Sequence, residues 1–551
     1  MAVPAPADPE PADPAGPFPQ RTPLVTSFPT APALSRRTLL RGGLAGAGLL
    51  SLAACRSAAD TATGQATGDA AGPRRGGVLT VGTGVDFTPA LLFAQSANTL
   101  VQRLVFNTLT RYDDKLQPQP ELATSWQVAA DGASVTLKLR EDVTFHSGRR
   151  FTADDVVFAV KNLQNPARSA QLRSTAAAVT DFRKNGDFEL TLVLAHPVSN
   201  LFDLFEFMIV PDSETVEEAF AGTKLIGTGP YTFTERKPGS SITFARNEKY
   251  WNPGRPYLDG VEIRVVPQAE SLLSSLKTGQ THLSYSIRGK DIATLRSDPQ
   301  FRITPYDTGA GAYYIGANLT AEHVSDKRVR QAIAWAVDRE RLVEQALGGY
   351  GTVSATPWPK SSPAYSADAA GHYRHDPERA KQLLKDAGLT GISLPFAHSN
   401  DPGNTAVAQI LQYDLKQVGI ETVLQPTDSP TMQKQLIAQS MPALWTLSHG
   451  FAQLHPATLA VSAYPFNEAK NSSRFSSPAY TDIVQRAWQR PDSDSPEAKA
   501  LYGRITDVLL DEQFVIDLAI AGLTEVAVGK ARGATLNKFG YLNLDDAYLT
   551  A

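Results

Sequence analysis

Cysteine is nearly absent from this chain: its 551 residues contain one, Cys55. A lone cysteine excludes an intramolecular disulfide and a zinc site built from several thiolates. Acidic and basic residues nearly balance, and a net charge of −4 gives no reason to expect nucleic acid as a partner. After residue 55 the chain lacks an apolar run of about 20 residues, the length that a membrane-spanning helix needs. The length itself predicts two or three lobes rather than one core.

An apolar stretch near the N-terminus follows two adjacent arginines, Arg36 and Arg37. The stretch covers residues 42–54, and it is rich in glycine and too short for a membrane span. A cationic segment before a short apolar one is typical of an export signal. The arginine pair resembles a twin-arginine signal, and Leu52-Ala53-Ala54-Cys55 resembles a lipobox, in which the cysteine is acylated and becomes the first residue of the mature chain.

The segments on either side of this stretch have compositions that do not predict a core. Residues 1–34 are rich in Pro and Ala and are expected to be an unstructured leader. We therefore interpret 1–55 as leader plus signal and 56–75 as a flexible tether. The protein is expected at the outer face of the cell membrane, held by a diacyl anchor at Cys55 that binds more firmly than a single chain.

Helix and strand patterns alternate through the rest of the chain. Residues 78–81 predict a short buried strand, and a helix is predicted from about 90 to 104. Asp376 and Pro377 provide helix-start signals, and Gly388 lies just past the predicted end. Repeated alternation of this kind indicates an α/β fold.

Seven motifs follow one another along this α/β region. They are Gly77 to Val81, Leu137 to Gly148, Phe151 to Val156, Gly227 to Tyr231, Arg246 to Trp251, Val329 to Arg339 and Pro377 to Leu384. In this order they resemble the extracellular solute-binding proteins of peptide- and nickel-type ABC transporters. The resemblance covers nearly all of the chain after Gly76.

The resemblance implies a two-lobed periplasmic-binding-protein-like α/β fold, with a hinge and an extra subdomain inserted in the first lobe. The expected boundaries are 76–120, 225–312 and 515–551 for lobe one, 121–224 for the insert and 313–514 for lobe two.

The resemblance also implies a function. A monomer without a cofactor would capture a small solute, a peptide or related compound, between its lobes and deliver it to an ABC permease. A receptor for nickel, another metal chelate or an opine is the alternative on the same fold. A role in sensing or chaperoning is a further alternative that the sequence does not separate from transport.

Two loops are expected to line the ligand cleft by this resemblance. The first follows the first strand and contains Asp86, which could pair with a ligand cation or be a solvated acid, and Phe87. The second lies in lobe two, where relatives have Gly-Trp and then an aspartate that binds a peptide ammonium. The candidate residues in this second loop are Trp445, His449, Gly450, Phe451 and Gln453.

The second loop departs from the family pattern because residues 445–456 contain no acid. A peptide with a free N-terminus would lack its usual partner there, and a buried ammonium without one is costly. His449 and His455 are alternatives: a neutral imidazole could bind a metal chelate, and a charged one could hold a carboxylate. His455 precedes Pro456, which favours a helix-entry role.

An exported hydrolase is the rival from a different class. Ser448-His449 lacks the Gly-x-Ser-x-Gly setting of a nucleophile, and the chain has no His-Glu-x-x-His motif. The glycine pair in 227–230 lacks the lysine and spacing of a phosphate loop. The sequence therefore predicts a binding protein and not an enzyme.

Overall fold

A computed structural model describes residues 72–93, 98–168, 170–450, 455–537 and 539–550. These residues lie in one unit, Asp69–Ala551. The predicted signal, the lipidation site Cys55 and most of the predicted tether lie outside the described residues. Within the described ranges no helix combines the length and apolar character needed to cross a bilayer.

The strands are numbered here in chain order. They are β1 Val78–Thr83, β2 Thr110–Tyr112, β3 Pro118–Pro120, β4 Ala123–Val128, β5 Ser134–Leu139, β6 Val179–Lys184, β7 Glu189–Leu194, β8 Tyr231–Lys237, β9 Ser241–Arg246, β10 Gly260–Val265, β11 Leu283–Ser284, β12 Phe301–Ala317, β13 Gly351–Val353, β14 Ile392–Ser399, β15 Ile420–Thr427, β16 Leu444–His449, β17 Val515–Val528, β18 Ala531–Arg532, β19 Thr535–Leu536, β20 Leu542–Asn543 and β21 Tyr548–Leu549.

The α-helices are numbered in the same way. They are α1 Thr99–Val105, α2 Ala153–Gln164, α3 Arg173–Ala177, α4 Leu201–Phe207, α5 Val216–Ala221, α6 Ala269–Lys277, α7 Gly289–Leu295, α8 Lys327–Ala336, α9 Arg339–Ala346, α10 Ala367–Ala370, α11 Pro377–Asp386, α12 Pro402–Gln417, α13 Ser429–Ala438, α14 Pro456–Ser462, α15 Pro478–Trp488 and α16 Pro496–Glu512.

A mixed sheet of 11 strands organises the molecule, in the order β15-β14-β16-β12-β17-β11-β1-β10-β9-β8, with β13 paired to β17. Its centre is the long antiparallel pair β12 and β17, which runs from Phe301 opposite Val528 to Gly316 opposite Val515. Parallel pairs occur on both sides of this centre, β14 with β15 and β1 with β10. The α/β fold class is therefore confirmed.

A separate antiparallel sheet has the order β4-β5-β7-β6. Residues after this sheet contact the helices near the C-terminus: the Trp488 indole donates to the Asn200 side chain at 2.7 Å, and the Ser199 N–H donates to the Trp488 carbonyl at 2.8 Å. One buried cluster consequently includes side chains from this sheet and from α14, α15 and α16. The division into two lobes and an insert, with the boundaries given above, stays a prediction.

The end of the large sheet that contains β16 buries a different set of side chains on each face. One face carries Tyr314 and Trp445, and the other carries Ile315 and Leu444. This alternation follows from the period of two along a strand, because successive side chains point to opposite sides. A third cluster surrounds β1 and β10.

Two local predictions have different outcomes. The helix after Asp376 is confirmed: α11 covers Pro377–Asp386, and the Asp376 carboxylate accepts the Arg379 N–H at 2.9 Å. The single helix predicted over 90–104 is wrong, since α1 begins only at Thr99. The buried Asn98 amide donates back to the carbonyls of Thr88 and Leu91, at 3.0 and 2.8 Å. A side chain that bonds local backbone in this way competes with continued helix.

Candidate functional site

Strand β16 presents the lobe-two candidates in register with β12. Trp445 lies opposite Gly316, Leu447 opposite Tyr314, and His449 opposite Ala312. Residues that lie directly opposite each other share a face of a sheet, and positions two apart on one strand share it as well. The register therefore places Trp445 and His449 on one face.

Trp445 is fully buried, and its ring occupies the space above Gly316. A Cβ atom added at position 316 would lie 2.1 Å from ring carbons of Trp445, so only glycine fits beneath the indole. The Trp445 N–H is close enough to the Tyr314 hydroxyl to lower the pKa of that phenol, although burial raises it more. Trp445 thus packs tightly against the sheet.

His449 is 8% exposed and lies edge-on to the Phe466 ring, with centroids 6.4 Å apart. Burial lowers the pKa of His449 to about 4, so its imidazole is neutral near pH 7. Of the two ligand roles considered above, the neutral hydrogen-bonding or metal-chelate role agrees with this environment. Holding a carboxylate would require a protonation that burial opposes.

Gly450 follows the end of β16 and is partly buried. Phe451 and Gln453, the other two candidates in this loop, lie outside the described residues.

Asp86 and Phe87 follow β1, which stands four strands from β16 in the sheet. The Asp86 carboxylate accepts from Arg236 Nη2 at 3.0 Å, from the Gly239 N–H at 2.9 Å and from the Phe87 N–H at 2.7 Å. Phe87 is 4% exposed and belongs to the cluster around β1, so it shares no buried cluster with Trp445. Pairing of Asp86 with a ligand cation stays a prediction, and such a cation would compete with Arg236.

His455 is the helix-entry residue that its position before Pro456 predicts. Its Nδ1 accepts the Ala457 N–H at 3.2 Å at the start of α14. Because Nδ1 accepts, the proton of the neutral ring is on Nε2, which lies 2.9 Å from the Tyr502 hydroxyl. Burial lowers the pKa of His455 to about 3. This histidine holds α14 in place.

Asp517 is a buried acid on the same face that the sequence analysis did not single out. It lies in β17 opposite Tyr314, at a register shift next to Tyr313. The side chain is 2% exposed, and neither carboxylate oxygen has a hydrogen-bond donor within the part of the chain that the structure describes. An acid within the apolar run Val515 to Ile520 is a signal that could have identified it.

The described residues contain no group of three His, Cys, Asp or Glu side chains placed to hold a metal ion.

Comparisons with known proteins identify the family. Residues 117–467 match the family described as bacterial extracellular solute-binding proteins, family 5 middle. The chain belongs to family 5 of the bacterial extracellular solute-binding proteins. It is 30% identical over 412 residues to the oligopeptide-binding protein AppA of Bacillus subtilis strain 168, an alignment that covers 70% of this chain and 75% of AppA.

Two solved structures show the same fold. The oligopeptide-binding protein AppA from Bacillus subtilis, in complex with a nonapeptide, superposes with a TM-score of 0.77 at 23% identity, covering 87% of this chain and 100% of that one. The PBP AgaA from A. tumefaciens R10, in complex with agropinic acid, gives a TM-score of 0.77 at 22% identity, covering 86% and 99%.

Membership of this family gives the protein its general role. It is the extracellular or periplasmic solute-binding component of an ABC importer for peptides or related solutes, and it is a binding protein rather than an enzyme.

Proposed function

We propose that this chain is a monomeric receptor, exported by a twin-arginine signal and tied to the outer face of the cell membrane by lipid at Cys55, that captures a peptide or related solute between two lobes and delivers it to an ABC permease. Family membership over residues 117–467 carries the receptor role. The lone cysteine directly after an apolar segment, with Arg36 and Arg37 before it, supports the anchor and the export route.

The relatives and the β16 face support a peptide as the ligand, with an opine as the alternative. AppA is named for oligopeptides, which favours a peptide here, and AgaA holds agropinic acid, which keeps an opine as the alternative. The buried Trp445 and the neutral His449 suit an apolar or hydrogen-bonding part of a ligand rather than a carboxylate. The proposed lining residues are Asp86, Phe87, Trp445, His449, Gly450, Phe451 and Gln453.

A thermal-shift screen of the purified mature chain against peptides, opines and nickel chelates tests the ligand class. A ligand present at 100 times its Kd should stabilise the folded protein by about 2.7 kcal/mol. Stabilisation by di-, tri- or longer peptides supports the peptide ligand. Stabilisation by chelates or opines alone would overturn it in favour of the alternative.

Alanine substitutions in the loop after β16 test the location of the site. We expect Phe451→Ala and Gln453→Ala each to weaken binding of the ligand found in that screen, measured by calorimetry. Gln382→Ala, on the exposed side of α11, is the matched control and should bind with unchanged affinity. Unchanged affinity in both loop variants would exclude this loop from the site.

The anchor and the export route need separate variants. Cys55→Ser should move the protein from the membrane fraction to the soluble exported fraction, because the acylated thiol is gone. Replacing Arg36 and Arg37 by lysine should retain the precursor inside the cell. Membrane attachment of the Cys55→Ser chain would overturn the lipid anchor.

Solute uptake that is unchanged after deletion of the permease would favour sensing over transport.

A further inference from the structure

We propose that Asp517 is the cation-binding residue of this site, and that its carboxylate receives the positively charged nitrogen of the bound solute, an ammonium or a guanidinium group. The inference rests on the proposed function and specifies the chemistry of its ligand. Three observations support it: the position of Asp517 in the sheet, its missing partners and the side chains around it.

Strand register places Asp517 on the candidate face. The sheet order β16-β12-β17 makes Leu447, Tyr314 and Asp517 one row across three adjacent strands. The next row begins with His449, where β16 ends and the candidate loop starts. Two residues along a strand span about 7 Å. The row that contains Asp517 therefore lies roughly 7 Å along the strands from the row that contains His449.

The Asp517 carboxylate is buried without the partners that such a group requires. Neither oxygen accepts a hydrogen bond from any residue that the structure describes. The charge of Arg339 acts on the Asp517 carboxylate, but the Arg339 Nε donates to the Asp517 backbone carbonyl, at 3.0 Å, and the Arg339 Nη2 has no hydrogen-bond partner among the described residues. Removal of a carboxylate from water without a compensating partner is costly, and buried polar groups are almost always satisfied.

Burial raises the pKa of Asp517 well above its ordinary value, and the Arg339 charge only partly opposes this effect. A bound cation would restore the ionised form, since an opposite charge within a few ångströms favours it. A positively charged group of a ligand would therefore stabilise the ionised form of this buried carboxylate.

Two aromatic side chains on the same face provide further complementarity to a cation. Tyr314 is in the same row as Asp517, and Trp445 lies one row away, opposite Gly316. The faces of tyrosine and tryptophan rings attract ammonium and guanidinium groups.

The register shift between Tyr313 and Tyr314 brings Asp517 into this position. On the β17 side of the shift, Tyr313 faces Ala519 and Tyr314 faces Asp517, so one additional residue is accommodated between them. Such bulges redirect side chains and occur often beside binding sites. β17 thereby contributes an acid to a face whose own loop, residues 445–456, contains none.

Calorimetric titration of the wild type and two variants against three peptides tests the assignment. The peptides are Ala-Ala-Ala, which has an α-ammonium, acetyl-Ala-Lys-Ala, which has only a side-chain ammonium, and acetyl-Ala-Ala-Ala, which has neither. The variants are Asp517→Asn and Asp414→Asn. Asp414, on α12, is equally buried, at 2% exposure. Unlike Asp517, its carboxylate has partners, which are Arg341 on α9 and the N–H of Asp338, the residue before α9.

We expect the wild type to bind at least one ammonium peptide more tightly than acetyl-Ala-Ala-Ala. Asp517→Asn should weaken that binding by about 30-fold or more, as loss of one member of a buried charge pair does, and should abolish the preference. Asp414→Asn should retain both the affinity and the preference.

The outcomes separate the inference from the proposed function. If Asp517→Asn keeps the preference, or if the wild type binds the acetylated neutral peptide as tightly as the others, Asp517 is not the cation site. If none of the three peptides binds the wild type, the peptide ligand of the proposed function fails and the inference fails with it.

Discussion

Two buried charged sites in this protein, one a group of three side chains and the other a single acid, differ in how many hydrogen-bond partners they have. Arg103 joins Glu121 and Glu206 near α1 and α4, and all three side chains are at most 2% exposed. Asp517 is buried to the same degree in β17. The first set has a dense group of hydrogen-bond partners, whereas the Asp517 carboxylate accepts no hydrogen bond from the described residues and has only the charge of Arg339 acting on it.

The Arg103 network satisfies its carboxylates with donors from several segments. Glu121 accepts from Arg103, Arg111, Asn107 and Thr108, and Glu206 accepts from Arg103, the Tyr112 N–H and Asn537. These donors connect α1, β2, α4 and the segment before β20. A buried ion group of this kind is tolerated only when its geometry and its hydrogen bonds are nearly complete.

The difference between the two sets indicates different roles. A complete network fixes the relative positions of chain segments and leaves nothing for a ligand to bind. The Asp517 carboxylate has both oxygens without a hydrogen bond from the described residues, which leaves them available for the ligand contact proposed above. The following predictions test this contrast, from the largest expected effect to the smallest.

Arg103→Ala should remove the common partner of Glu121 and Glu206 and leave both acids buried with a deficit of positive charge. We expect a loss of about 3–5 kcal/mol in the free energy of unfolding, measured by urea denaturation. The control is Arg183→Ala, which breaks an ion pair with Asp181 whose side chains are 70% and 60% exposed, and it should cost under about 1 kcal/mol. Equal losses in both variants would contradict the structural role of the network.

Gly316→Ala tests how tightly the side chains around Asp517 are packed. The new methyl group would overlap the Trp445 ring, so we expect a loss of roughly 1–3 kcal/mol on thermal unfolding. Gly503→Ala is the control, because Gly503 lies in α16 with open space around it, and it should stabilise by about 0.5–1 kcal/mol. A neutral Gly316→Ala would show that the indole moves easily.

His455→Asn tests a buried titratable group whose hydrogen-bond partners are present. In the folded chain the pKa of His455 is about 3, against 6.5 ordinarily, so between these values only the unfolded chain takes up the proton. Wild-type stability therefore falls as the pH falls below 6.5. Asparagine can accept the Ala457 N–H but does not titrate.

The stability difference between the wild type and His455→Asn should change by about 1.4 kcal/mol per pH unit across this window. Thermal unfolding at several pH values from 5 to 7 measures it. A difference that stays constant with pH would mean that His455 titrates normally in the folded protein.

Asp517→Asn should have the smallest effect on the ligand-free protein. The pKa of Asp517 lies well above its ordinary value, so the folded chain keeps a proton that the unfolded chain releases, and wild-type stability falls as the pH rises through this range. Asparagine removes that dependence. We expect a change within about 1 kcal/mol near pH 5 and a relative gain for the variant at higher pH.

Thermal unfolding of the wild type and Asp517→Asn from pH 5 to pH 9 measures this relative gain. A destabilisation comparable to that of Arg103→Ala would show that Asp517 already has a structural partner, and the contrast between the two sets would no longer hold.

Much of the local structure was predictable from the sequence because its causes are local. The acid at position 376 with Pro377 after it starts α11, and the alternation of polar and apolar residues in 134–139 is the pattern of β5. The helix predicted over 90–104 failed where a side-chain amide, that of Asn98, bonds the preceding turn instead. Short polar side chains can redirect backbone in a way that apolar periodicity does not reveal.

The candidate site was predictable only in part. That the stretch around Trp445 lines the ligand cleft stays a prediction, whereas the helix-entry role of His455 is confirmed. The sequence analysis did not single out Asp517, because the sequence does not show which side chains lie across the sheet from an acid in an apolar strand.

The sequence by itself determined the helix starts, the strand alternation and the order of motifs that places this chain in its family, since each depends on residues close together along the chain. Only the tertiary structure decided that Tyr314, Trp445 and Asp517 share one face. Their meeting depends on strand order and on a register shift between β12 and β17, and a shift of one residue would turn Asp517 to the opposite face of the sheet.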